Sequence, residues 1–408
     1  MKILQINNVH YRRGGADVVY FNTGKLLEEH GHEVFYFSMK DANMLPNDYS
    51  DYFPNLKNYR GLTVISKIQS VKSFLYNKEA YIKLNKFLKI IRPDIAHVHL
   101  FMGGLTVSIL DVLKENNVPI VHTVHDYRLI CPAYTFLDKK NQICEKCKDG
   151  FFIRCTYKNC SLESNYAHSA ILSLDAYYRK HLKKPIDLID KFIFVSEFAK
   201  KIHCDFNQMY SKKALRLYNF HTLKYKNIKT VRGNYFLYYG RLSREKGIDL
   251  LFDVAKKLKI NLKIAGTGPL LDKLKHNADN NIEVLGFKNG EELWDLINNS
   301  NFVIVPSEWY ENNPLTIVES FTFGKPVIGS DIGGITELLQ NNRGVLFKPK
   351  SFDSLEKAIL KASNLDEKEY EIYSQNVTNY AKKEFSEENH YNSLLNIYKS
   401  VLNDKTMC

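Results

Sequence analysis

No stretch of this 408-residue chain strings together the roughly 18 apolar residues that a membrane-spanning helix needs. Its longest uncharged run, Ile95–Leu110, contains two histidines and two glycines. The opening MKILQINNVH is interrupted by Gln5, Asn7 and Asn8, so it does not read as a secretory signal. There is no low-complexity tract and no short-period repeat, which sets aside solenoid and array architectures. Cysteine is sparse, at seven residues, so a disulfide framework is not expected and most thiols should be free. Together these absences point to a cytoplasmic protein.

What is present is a globular composition, 44% apolar, with a formal net charge of +12. The length favours two domains. The charge favours a polyanionic partner: nucleic acid, an anionic membrane, or a phosphorylated small molecule.

Short apolar runs alternate with helical stretches from end to end. KILQINN (2–8), EVFYFS (33–38), IAHVHL (95–100), PIVHTV (119–124) and KFIFVS (191–196) form a first series. After the basic stretch 219–234 a second begins: YFLYYG (235–240), NLKIAG (261–266), NIEVLG (281–286), NFVIVP (301–306) and KPVIGS (325–330). Near-continuous apolar runs are the mark of parallel strands covered on both faces. The expected fold class is therefore α/β, with two doubly wound, Rossmann-like parallel sheets and a ligand cleft between them.

Three motifs carry chemistry. YYGRLSREKGIDLL (238–251) sets Arg241 and Lys246 at a strand-to-helix turn, where helix amides and two cations suit a diphosphate. AGTGPLLDKL (265–274) is a Gly-rich turn containing Gly266, but Leu271 stands where the dinucleotide fingerprint has its third glycine. SEWYENNPLTIVES (307–320) places Glu311 and Glu319 eight apart around Asn313, Pro314 and Leu315. Pro314 suits the first helical position with Asn313 as cap, leaving early amides open to an anion. Glu319 in the second turn can accept from a vicinal diol such as a ribose. The bland alternative is a helix with acidic residues near its N-terminus, which the macrodipole favours.

The ordered set Gly-Arg-x(4)-Lys-Gly, Gly-x-Gly-Pro and Glu-x(7)-Glu resembles the retaining glycosyltransferases of family 4, which have the two-domain GT-B fold. The first half fits as well: RRGGADVVYFNTGKLLEEHGHEVFYF (12–37), PDIAHVH (93–99) and VHTVHDY (121–127) look like that family's early strands and first helix. The resemblance implies an acceptor domain at 1–218 with a Cys-rich insertion at 131–160. It implies a nucleotide-sugar domain at 219–384 and a final helix at 385–408 packing back on the first domain. Arg241 and Lys246 would neutralise the donor diphosphate, joined by the free amides around Asn313, Pro314 and Leu315, by Gly266, and by the Gly14–Gly15 loop. Glu319 would bind the ribose, Glu311 would sit beside the donor sugar, and His125 would meet a sugar hydroxyl or the reacting carbon. The donor would be a UDP- or GDP-sugar and the acceptor a saccharide or lipid-linked hydroxyl, in cell-surface polysaccharide biosynthesis. No Asp-x-Asp is placed to bring a cation to the diphosphate, so no catalytic divalent metal is expected. The sequence departs from the family at the hinge, where Phe220 follows Asn219 in place of the usual glycine, and in Arg244, a further candidate phosphate contact.

His97 and His99 share one face of a strand and are expected to be packing residues. Cys144, Cys147, Cys155 and Cys160 leave two readings open, a structural zinc site or reduced thiols. The segment Lys57–Arg92 carries nine basic residues and one acid, with Ile65, Ile68, Val71, Leu75, Ile82, Phe87 and Ile91 at helical spacing. It reads either as basic helices meeting an anionic membrane, which would make the protein peripheral at the inner face of the cell membrane, or as helices packed on a sheet with a solvated outer face. A nucleic-acid-binding protein would explain the charge but not the Glu-x(7)-Glu motif, and nucleic acid is not expected as a partner. A nucleotide-sugar epimerase could share the architecture, and a phosphorylase would need a pyridoxal lysine that cannot be identified.

Overall fold

The computed structural model describes residues 1–56, 64–161, 165–222, 228 and 232–406, without the side chains of 64–69 and 405–406. Residues 57–63 of the basic segment, the side chains of Ile65 and Ile68, half of the stretch 219–234 and Cys408 lie outside what is described.

The chain divides into two units. The first comprises Met1–Val195, Ala199–Leu217 and Tyr391–Cys408, and the second Ser196–Phe198 and Tyr218–His390. In the first unit the strands are β1 (Lys2–Ile6), β2 (Glu33–Phe37), β3 (Ile95–Val98), β4 (Ile120–Val124), β5 (Lys191–Phe194) and β6 (Ala214–Arg216). They form one sheet in the order β2-β1-β3-β4-β5-β6, with every pair parallel. The strand order reverses beside β1, so the turns after β1 and β3 open at a topological switch point.

The second unit holds β7 (Phe236–Tyr239), β8 (Leu262–Ala265), β9 (Ile282–Gly286), β10 (Val303–Val305), β11 (Val327–Ser330) and β12 (Gly344–Phe347). Their order is β12-β11-β10-β7-β8-β9, again all parallel, and the reversal falls between β7 and β10. Both faces of this sheet are buried, as the apolar runs require. Phe236 and Tyr238 point into one core with Phe302 and Ile304, while Leu237 and Tyr239 point into the other with Val303 and Val305. The architecture is α/β with two doubly wound parallel sheets.

Two strands were not legible as runs. β6 is three half-buried residues in a basic stretch, and β12 is four residues that begin at a glycine. Both are edge strands, with little apolar sequence to announce them.

The helix Glu387–Thr406 leaves the second unit, and from Tyr391 it belongs to the first. Its Leu394, Ile397, Tyr398 and Val401 join Ile3, Ile95, Val121 and Ile193 in the core there. The helix Lys78–Ile91 turns Leu84, Phe87 and Ile91 inward and leaves Ile82 exposed, an ordinary packed helix with a basic outer face.

Candidate functional site

In the second unit the motif residues gather at the switch point. β7 ends at Tyr239, and Gly240 leads into the turn that carries Arg241, Arg244 and Lys246. Gly247 closes it at φ +70°, and a Cβ there would lie 1.9 Å from the Pro306 carbonyl oxygen, just past β10. Only glycine allows the two strand ends to approach this closely. Lys246 is thereby held beside the loop 306–314.

There its ammonium meets Glu311. Lys246 Nζ donates to Glu311 Oε1 at 2.6 Å. Ser307 Oγ donates to the same oxygen at 2.8 Å and Trp309 Nε1 at 2.7 Å. The ammonium also lies 5.1 Å from the centre of a Trp309 ring. Burial alone would raise the Glu311 carboxyl, but the Lys246 charge and these three donors outweigh it, and the net shift is downward. Glu311 is buried and paired, because its loop folds under Gly334, whose N–H donates to the Glu311 carbonyl at 2.7 Å. Arg241 is exposed and, among the described residues, makes no ion pair.

The helix after this loop runs Leu315–Thr322 with Pro314 as its N-cap, one residue later than expected. Its own hydrogen bonds begin at Ile317 and Val318, which donate to the Pro314 carbonyl. The earlier amides of Leu315 and Thr316 belong to the open first turn. Asn313 does not cap the helix. It is buried and tied to Asn219, accepting from the Asn219 N–H at 2.9 Å on its side chain and from Asn219 Nδ2 at 3.0 Å on its carbonyl. Asn219 thus fixes the loop from a position 94 residues away. Phe220, the departure at the hinge, is buried against the His390 ring, with centroids 4.3 Å apart.

Glu319 lies half-buried in the second turn. Burial pushes its carboxyl up to about 7, and a hydrogen bond from Tyr239 only partly opposes this. The single Tyr239 proton is shared with the Thr316 carbonyl, 2.8 Å away, a contact that fastens this helix to the end of β7. Gly266 serves backbone packing: a Cβ there would stand 1.9 Å from the Gly240 carbonyl oxygen. Sequence reasoning missed Ser307, Trp309, Asn219, Tyr239 and the Gly333–Gly334 turn. The acidic motif itself contained Trp309 and Ser307, but nothing in their spacing marked them as donors to Glu311.

In the first unit, Gly14 precedes the helix Gly15–Glu29. The Gly14 N–H is not open, because it donates to Asp17 Oδ2 at 3.0 Å, while Asn7 Nδ2 donates to the other oxygen at 2.8 Å. The Gly14–Gly15 loop therefore offers an anion less than the sequence promised. His125 follows β4. The His99 ring nitrogens lie 2.9 Å from His125 Nε2 and 2.9 Å from Gln5 Oε1. With the Gln5 oxygen as acceptor, His99 Nε2 carries a proton and His99 Nδ1 accepts from His125 Nε2. Burial pulls the His125 pKa down to about 3, with His122 adding to the effect, so the ring stays neutral. His97 lies 2.7 Å from the Thr123 hydroxyl and 2.6 Å from that of Tyr398, a packing role as expected.

Cys144, Cys147, Cys155 and Cys160 are free thiols, and among the described residues no group of three or more His, Cys, Asp or Glu side chains is arranged to hold a metal ion. The thiols lie close together: Cys144 hydrogen-bonds to Cys160, which also meets Cys155. Burial pushes Cys147 up to about 11 and Cys131 up to about 12. The contacts among these thiols suit reduced side chains.

Residues 220–384 match the family described as Glycosyl transferases group 1, and residues 13–223 match Glycosyltransferase Family 4. A Klebsiella pneumoniae protein described as an uncharacterized 42.6 kDa protein in the cps region is 26% identical over 91% of this chain and 100% of its own. The Escherichia coli UDP-Gal:alpha-D-GlcNAc-diphosphoundecaprenol alpha-1,3-galactosyltransferase is 28% identical over 75% of each chain. Among solved structures, Anabaena HepE in complex with UDP and glucose superposes with a TM-score of 0.64 at 15% identity, covering 100% of both chains, which shows a shared fold. The chain belongs to glycosyltransferase family 4, and its fold is the GT-B type.

Proposed function

We propose that this chain is a retaining glycosyltransferase that moves a sugar from a UDP- or GDP-sugar to a hydroxyl of a saccharide or lipid-linked acceptor, in cell-surface polysaccharide biosynthesis. The observation that carries the reading is the Lys246–Glu311 pair, held at the switch point of the second sheet beside the exposed Arg241.

The reacting sugar carbon becomes oxocarbenium-like as the nucleoside diphosphate leaves. Arg241 and Lys246 take up the charge of the departing diphosphate, helped by the Leu315 and Thr316 amides. Fixed cations act there without a divalent ion. Lys246 already stands on Glu311, so its ammonium is placed before donor arrives and little reorganisation is left for the reaction. Glu311 lies on the sugar side of Lys246 and faces the developing positive carbon. Glu319 accepts from the ribose diol. His125, kept neutral, accepts from a sugar hydroxyl. Placement of the protein in the cytoplasm, at the inner face of the membrane that holds a lipid-linked acceptor, follows from the same reading. The Escherichia coli relative, named for a diphosphoundecaprenol acceptor and a UDP-Gal donor, supports this chemistry.

A thermal-shift panel of UDP, GDP, ADP and their sugars tests it. Binding to the folded state raises the midpoint for the right base alone. No shift with any nucleotide would overturn the reading.

A further inference from the structure

The first unit contains a cavity of about 370 Å³ that the transfer chemistry does not use. That size lies at the lower end for small-molecule sites. Its walls are apolar: Ile130, Phe152, Pro185, Ile186, Phe206 and Tyr210. Its rim is basic. Lys148, Lys180 and Lys184 line it and are exposed, with Asp187 the only acid in the lining.

The cations differ in how they are matched. Arg179 also lines the cavity, but it is buried and its Nε donates to Asp175 Oδ2 at 2.9 Å, so its charge is neutralised. Lys148, Lys180 and Lys184 make no ion pair among the described residues. Two of them stand against the aromatic wall: Lys180 Nζ is 5.7 Å from the Phe152 ring centre and Lys148 Nζ is 6.0 Å from that of Phe206. Gly150, at φ +80°, leaves the space over which Lys180 lies, since a Cβ there would be 1.7 Å from its ammonium. Met209, 51% exposed, extends the apolar surface outward at the mouth. A saccharide would need carboxylates or amides for its hydroxyls, and this lining offers only Asp187 and Asn207. Ammonium groups without a carboxylate partner among the described residues, Lys180 reaching the Asp149 carbonyl at 3.5 Å, instead suit a phosphate carried on a hydrocarbon chain.

We propose that this cavity binds the diphosphate and first isoprenoid carbons of a prenyl-diphosphate-linked acceptor, which rests on the glycosyltransferase reading above. The lysines meet the phosphates and the apolar walls take the chain. Its position along the sequence agrees, because Leu129 and Ile130 in its lining follow His125 by four and five residues. The Cys-rich insertion then builds a lipid-phosphate site, with Cys147 in the lining.

The test is calorimetry on the full chain with farnesyl diphosphate, inorganic diphosphate and farnesol, each at saturating UDP or GDP so that the donor site is filled. Farnesyl diphosphate should bind at least tenfold more tightly than either fragment. Lys180→Glu with Lys184→Glu, and separately Met209→Asp, should each weaken it at least tenfold while nucleoside diphosphate affinity stays unchanged. All three positions are exposed, so the fold should survive. Equal affinity for inorganic diphosphate, or unchanged affinity in the variants, overturns the proposal. So does binding to phosphatidylglycerol vesicles through these lysines with none to farnesyl diphosphate, which makes the face a membrane contact. Nucleotide binding is read separately, so failure here leaves the donor assignment standing.

Discussion

Lys246 and Glu311, 65 residues apart in the chain, meet at 2.6 Å in the second unit, with Trp309 and Ser307 donating to the same carboxylate oxygen. A half-buried cation on a buried anion holds both in a fixed place. Removing Lys246 leaves Glu311 without its counter-charge, though Ser307 and Trp309 still donate to it. Lys246→Ala should therefore lose transfer by orders of magnitude and also lower the melting midpoint, by roughly the 1–3 kcal/mol of a buried acceptor that loses one partner. Differential scanning fluorimetry beside initial rates measures both. Near-normal turnover in this variant removes Lys246 from the diphosphate site.

Arg241 should behave differently from its neighbour. It is exposed and unpaired among the described residues, so Arg241→Ala has nothing structural to break. The expected result is an unchanged midpoint with turnover lowered by orders of magnitude, since a cation facing the leaving group is lost. A variant that melts early, or that still turns over, contradicts this.

Much of the fold was readable because parallel strands buried on both faces leave unmistakable apolar runs, as in KFIFVS and NFVIVP. β6 and β12 escaped because edge strands of three and four residues carry too little of that signal. At the site, residue types and spacing pointed to Arg241, Lys246, Glu311 and Glu319, but not to their partners. The ties between Asn219 and Asn313, and between Tyr239 and the Thr316 carbonyl, join positions 94 and 77 residues apart. Such pairs depend on which strand ends are neighbours, and strand order is not written in local sequence. The contacts of Cys160 with both Cys144 and Cys155 were likewise not written in their spacing.

Metal independence follows if fixed cations and helix amides hold the diphosphate. Transfer should persist in saturating EDTA, and the purified chain should carry well under one zinc per molecule by elemental analysis. Loss of transfer on chelation, restored by magnesium or manganese, would refute the leaving-group mechanism. A stoichiometric zinc content would instead reinstate the cysteine site.

His125 should be separable from nucleotide binding. His125→Ala removes an acceptor that burial keeps neutral, so transfer should fall by roughly a hundredfold, within the range for a positioned polar group. Nucleoside diphosphate affinity should not change. Because the ring's pKa is pulled far below neutrality, the activity of the parent chain should show no His125 titration between pH 6 and 8. A variant that loses nucleotide affinity as well would place His125 elsewhere.

The two glutamates should part company in their response to pH and to amide replacement. Burial raises the Glu319 carboxyl from 4.5 to about 7, so between those values the folded chain holds a proton that the unfolded chain has released. Stability contributed by this group therefore falls as pH rises from about 4.5 to about 7, and the dependence should vanish in Glu319→Gln. Ribose binding runs the other way, because a diol donates best to the ionised carboxylate. Nucleoside diphosphate affinity should rise about tenfold from pH 6 to pH 8, as expected when a group of pKa near 7 must ionise to bind. Glu319→Gln should flatten that rise and cost roughly 1–2 kcal/mol of affinity at pH 8. Glu311 is held below its ordinary range by Lys246, stays ionised throughout, and contributes no such slope. Glu311→Gln should keep nucleotide affinity, since Lys246 is then released to the phosphates, yet depress transfer as the developing cation loses its negative neighbour. Calorimetry with the nucleotide at several pH values, beside initial rates, measures each quantity. Equal losses of nucleotide affinity in the two variants would mean that the pair is one acidic patch with a structural role.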